Sequence, residues 1–203
     1  MDNLYAPLAA DLDELVDIGT DAPLQYAGFW RRFAAALVDA LIFLPVFLVV
    51  WVLGSHYRLF LLYWLVPSLA ISLGYQVYLV IRYGGTPGQR LMGVKIVLCD
   101  GAAVTPKAAM LRISIEFGLG VLLQLAWVCA ALRMPDGLFH ALEASVREQR
   151  LAALVPVWHR PVSLLSAIWE WSEFVVLLFN QKRRGLQDFM AGTVVIRYKI
   201  NTR

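Results

Sequence analysis

The chain has 203 residues, of which 60% are apolar and only 16% charged, and its mean hydropathy is +0.63. Soluble domains carry about 25% charged residues, so these values exclude a water-soluble globule, a disordered chain and a coiled coil, and point to a polytopic membrane protein solvated mainly by lipid. The net charge of +3 predicts no nucleic-acid partner, because the Lys and Arg sit at the edges of apolar runs, where they anchor a chain to a membrane.

Residues 1–25 form an acidic tail with Asp2, Asp11, Asp13, Glu14, Asp17 and Asp21 and no Lys or Arg. It lacks the basic and apolar regions of a signal peptide and reads as a mobile, soluble segment. Residues 26–200 then form one membrane domain. Crossing a bilayer takes about 17–25 helical residues, and four runs qualify: 33–53, 59–81, 113–132 and 162–179. The first contains Asp39, the third Glu116 and Gln124, and the fourth Glu170 and Glu173.

Lys and Arg set the orientation. Arg31, Arg32, Arg82, Arg90, Lys95, Lys107, Arg112, Lys182, Arg183, Arg184, Arg197, Lys199 and Arg203 fall on one side, and Arg58, Arg133, Arg147, Arg150 and Arg160 on the other. The richer side is expected to be cytoplasmic, which places both termini inside and the protein in a bacterial inner membrane. Between spans three and four, residues 138–150 suggest an amphipathic helix, either on the membrane surface or solvated. On the cytoplasmic side, residues 93–100 alternate and are β-branched, Asp100-Gly101 is a hairpin signal, and 102–105 offers a return strand. Residues 193–200 have the same character. The expected fold is an all-α membrane protein of four transmembrane helices, with a small cytoplasmic β-sheet from residues 93–105 and 193–200.

Three stretches together resemble the RDD family of bacterial membrane proteins: YAGFWRRFAAALVDALI (26–42), GGTPGQRLMGVKIVLCDG (84–101) and RRGLQDFMAGTVVI (183–196). The resemblance places the family's Arg at Arg32, with Arg31 as the alternative, and its two Asp at Asp39 and Asp188. Two positions depart from the family pattern. Gln187 stands where the family often has His before the second Asp, and Gln89 where Lys is common after Gly-Thr-Pro-Gly. Of function, the resemblance implies only a suspected transport of unidentified ligands.

The polar residues within the spans carry the functional expectations. A carboxylate deep in a bilayer costs about 3 kcal/mol and should face the bundle interior with a partner or a proton. Arg32 stands seven residues before Asp39, on the same helix face, so the two form either a proton or monovalent-cation site or a buried ion pair. Arg112 stands four residues before Glu116, which predicts a boundary ion pair. Glu170 and Glu173 share a face and could share a proton or line a vestibule. Asp188 is expected to cap a short helix or to pair with Arg90, latching the two cytoplasmic motifs together. Ligand or ion-pathway candidates are therefore Asp39, Glu116, Glu170 and Glu173, and structural candidates Arg32, Arg90, Arg112 and Asp188.

Enzymatic chemistry and cofactors are not expected. The Gly84–Gly88 run lacks the GxxxxGK[ST] pattern. His56, His140 and His159 are scattered and Cys99 and Cys129 are isolated, which predicts no metal site. The expected function is a small carrier, coupled to a proton or monovalent cation through intramembrane carboxylates and assembled as a homo-oligomer. The competing expectation is a non-transporting scaffold that recruits protein partners through its cytoplasmic motifs.

Overall fold

The computed structural model describes residues 25–179 and 184–198, apart from the side chains of 173–174 and 177–179. Residues 1–24 of the acidic tail, Lys182, Arg183 and the last five residues lie outside the described residues, as does the side chain of Glu173.

Helix α1 runs Phe29–His56, starting four residues before the apolar run because nothing in Phe29–Arg32 opposes a helix. Along it Leu37, Leu41, Leu44, Phe47, Leu48 and Trp51 are all exposed, and only Ala35 is buried. An apolar face of that extent is untenable in water and ordinary in lipid. The second span is built from α2 (Phe60–Leu73), a π-helical turn (Gly74–Tyr78) and α3 (Leu79–Tyr83). Pro45 and Pro67 lie within α1 and α2, as membrane helices tolerate. Helix α4 (Pro87–Leu91) and strand β1 (Val94–Leu98) follow, and then α5, Pro106–Arg133.

Helices α6 (Asp136–Ala141) and α7 (Ala144–Leu154) replace the single amphipathic helix expected over 138–150. The backbone is extended at Leu142 and Glu143, and Arg147 folds back over the buried Phe139 ring at 4.7 Å and donates to its carbonyl at 3.3 Å. Helix α8 (His159–Phe179) turns by 95° from α7. Among the described residues three helices are long and apolar enough to cross a membrane, or four if the bent pair α7–α8 counts as one span. Helix α9 (Leu186–Ala191) and strand β2 (Thr193–Arg197) end the described chain.

The sheet joins the two regions expected, with one correction. β1 pairs antiparallel with β2, from Val94 opposite Arg197 to Leu98 opposite Thr193. Residues 102–105 form no strand. Gly101 N–H closes a turn onto the Leu98 carbonyl at 2.9 Å, and Thr105 then caps α5 with Pro106 at its first position, so the chain enters the helix instead of returning along β1. The segment before α1 occupies the far edge of β2: Tyr26 bridges Ile196, and Ala27 N–H donates to the Val195 carbonyl at 2.8 Å. Ala27, Val80, Val94, Ile96, Val104, Ala108, Ala109 and Val195 form a core beneath this sheet. The start of α1, the end of α3 and the start of α5 are thereby gathered at one end of the helices.

Candidate functional site

Asp188 is the most enclosed charge among the described residues, at 0% exposure. It caps α9, accepting from the Gly185 N–H at 3.0 Å. Arg32 of α1 donates to its Oδ2 at 2.8 Å, and Arg112 of α5 donates to its Oδ1. Thr193 donates to Oδ1 at 3.2 Å and accepts from Arg112 at 3.1 Å. Arg184 spans the carbonyls of Asp188 and Thr193. Burial alone would raise the Asp188 pKa, but the Arg112 and Arg32 guanidiniums and the Gly185 N–H outweigh it and hold it at about 2. One carboxylate therefore ties α1, α5, α9 and β2 together.

Two expected pairings change as a result. The hydrogen bonds of Arg112 go to Asp188 and Thr193 rather than to Glu116, because the fully enclosed Asp188 carboxylate has the greater need of a counter-charge. Arg90 does not reach Asp188. Its guanidinium lies over the Tyr83 ring, 5.0 Å from the centroid.

Asp39 lies ten residues into α1, about 15 Å along the axis, and the Gly-rich loop folds onto it. It accepts from Tyr75 Oη at 2.5 Å, Thr86 Oγ1 at 2.5 Å and Gly88 N at 2.7 Å. Arg32, on the same helix face, reaches Asp188 instead of forming the expected partner for Asp39. The loop sequence follows from this docking. Gly84 takes φ +74°, a left-handed conformation that ends the span. Thr86 caps α4, Pro87 opens it, and Gln89 closes a capping box onto Thr86 N at 3.0 Å. A lysine at position 89 has no acceptor and could not close that box. At Gly88 a Cβ would collide with the Ala35 carbonyl and come within 2.6 Å of Asp39 Oδ1, so the backbone can approach α1 only without a side chain.

Glu116 and Glu170 form a different environment. Glu116 stands on the face of α5 that is otherwise closed: Ala109, Arg112 and Ile113 beside it are buried, while Leu111, Leu122 and Leu132 on the opposite face are exposed. Glu116 itself is nevertheless exposed. Gly120, one turn further on, has nothing within 4 Å of a would-be Cβ. On α8, the stripe Leu164, Ile168, Trp171 and Val175 faces outward, and Ser166 and Glu170 occupy the other side. Glu170 is exposed there too, accepting from Ser166 at 3.3 Å and lying within electrostatic reach of Glu116. Gln76 of the π turn donates to Glu116 at 3.5 Å. The two carboxylates thus lie within electrostatic reach of one another on the packed helices α5 and α8, and among the described residues neither forms a salt bridge. Asp39 does not join them.

Sequence reasoning passes over Tyr75, Gln76 and Ser166. The signal was available, since each places a polar atom in an apolar run where it needs a partner. The π turn itself had none: it directs Tyr75 to Asp39 on α1 and Gln76 to Glu116 on α5.

Apolar outward faces, polar groups turned inward and a charged cluster at one end define a helical membrane protein. Residues 26–192 match the sequence profile of the RDD family, and the chain belongs to that family. It is 31% identical over 130 residues to the Bacillus subtilis (strain 168) protein named "Uncharacterized protein YckC", an alignment covering 58% of this chain and 80% of that one. No solved structure is a significant match.

Proposed function

We propose that this protein is a multi-pass carrier of the bacterial inner membrane, moving a proton or monovalent cation along a water-filled crevice between α5 and α8 that holds Glu116 and Glu170. Counting the bent pair α7–α8 as a fourth span would put both termini and the sheet on the cytoplasmic side, and the bias of Lys and Arg toward that end supports this topology. The observation that carries the reading is that Glu116 and Glu170, on the packed helices α5 and α8, lie within electrostatic reach of one another and form no salt bridge among the described residues. Carboxylates in that setting can take up and release a small cation. Asp39 and Asp188, whose oxygens are already engaged, serve the fold. So few helices make a thin pathway, and a homo-oligomer completes it.

The test uses protein reconstituted in liposomes loaded with a pH-sensitive dye. An imposed sodium or potassium gradient should drive proton movement in the wild type, and Glu116→Gln and Glu170→Gln should abolish it at equal incorporation. Well-assembled wild-type protein that moves no protons under any gradient contradicts the carrier and favours a scaffold acting through the sheet end.

A further inference from the structure

A second charged region lies where the second span ends. Tyr83 closes α3 and is 45% exposed. Arg90 sits over that ring at 5.0 Å, and Arg82 lies 5.7 Å from the centroid. The Lys95 stem crosses Gly84, where a Cβ would come within 2.7 Å of its Cγ. Burial, and then the charge of Arg90, lower the Lys95 pKa, so the cations crowd one another. Among the described residues no carboxylate pairs with any of the three. Leu91 beside them is 61% exposed.

From this arrangement we infer that Arg82, Arg90 and Lys95, with Tyr83 and Leu91, form a binding site for the phosphodiester headgroup of an anionic phospholipid. Three unneutralised cations match a phosphate, and Arg presents several donors to its oxygens. A half-exposed tyrosine at a helix end belongs at the depth of the headgroups, and the exposed leucine meets the acyl boundary. This chemistry selects a lipid over a free anion, because the apolar part of the site has no use for inorganic phosphate. The inference is independent of the carrier reading.

The test titrates detergent-solubilised full-length protein with phosphatidylglycerol, phosphatidylcholine or inorganic phosphate and follows the thermal midpoint. Phosphatidylglycerol should raise it saturably, and the other two should not. A cation near a membrane surface contributes about a five-fold effect. Arg90→Gln, at an exposed position, should therefore weaken the apparent affinity about five-fold and the Arg82→Gln/Arg90→Gln double variant about 30-fold. Arg150→Gln, at the opposite end of the helices, should leave it unchanged. Equal weakening by Arg150→Gln would reveal diffuse attraction and overturn the site. A response to inorganic phosphate matching that to phosphatidylglycerol would overturn the lipid assignment. If the double variant does not fold, the single variant decides.

Discussion

The sheet end and the proposed crevice treat acidic side chains in opposite ways. At the sheet end, Asp188 and Asp39 are engaged by arginines, hydroxyls and backbone N–H groups. In the crevice, Glu116 and Glu170 have one side-chain hydrogen bond each, to Gln76 and Ser166. A carboxylate with three or more donors already on it has little capacity left for a ligand and stabilises what surrounds it. One that is open and underused can change its state without dismantling the fold. On the proposed reading, the residues that carry the resemblance hold the structure, and the carboxylates outside those motifs do the work.

The largest break in this contrast should come from Asp188→Asn. It leaves two guanidiniums in the interior without their counter-charge, which costs about 3–5 kcal/mol. Detergent-solubilised protein should lose its cooperative melting transition or melt far lower. The acid limb gives a finer readout. The Asp188 pKa lies below its ordinary value, so its stabilisation is complete above about pH 4 and is lost as the pH falls toward about 2. Melting points should stay level from pH 8 to about 5 on this account and drop below about pH 4, by an amount equivalent to about 2 kcal/mol. A drop that begins above pH 5 would assign the loss to another group.

Gly88→Ala should follow, at about 1–3 kcal/mol, because α4 must back away from Ala35 and Asp39. Asp39→Asn should cost a similar amount, since an amide nitrogen must then face a hydroxyl or N–H donor. Thermal unfolding of both variants checks this, and an unperturbed Asp39→Asn that lacks proton movement would shift Asp39 to the working group. Glu116→Gln and Glu170→Gln should change stability by under about 0.5 kcal/mol while removing flux. The smallest effect should be that of Asp136→Asn. Its partner Arg58 keeps the carbonyls of Ala131 and Met134, and an ion pair with one exposed member contributes under about 1 kcal/mol.

Much of the fold is legible in the chain because hydropathy acts locally. The apolar runs 33–53 and 59–81 coincide, to within a residue at their starts, with parts of the first two candidate spans, and 94–98 and 193–197 form the sheet. The Thr105-Pro106 start of α5 was equally readable as a cap, and it is what denies residues 102–105 a strand. Partners far apart in sequence were not legible. Arg32 and Asp188 are separated by 156 positions, and spacing along one helix suggested Asp39 instead. Arg112 shows the same limit, because a neighbour four residues away loses to a more enclosed acid from another element. Whether Glu116 faces a wall or an opening depends on how α5, α8 and the π turn meet, which no local pattern encodes.

The most direct test of the contrast asks whether water reaches the crevice. With Cys99 and Cys129 replaced by Ser, a single cysteine at Gly120, where a side chain meets nothing within 4 Å, should react with a membrane-impermeant maleimide in intact vesicles of suitable orientation. A cysteine at Ala130, which is 0% exposed, should not. Labelling at Gly120 alone is the predicted result; a Gly120→Cys protein that resists the reagent from both sides of the membrane would contradict an open crevice and the working role given to Glu116 and Glu170.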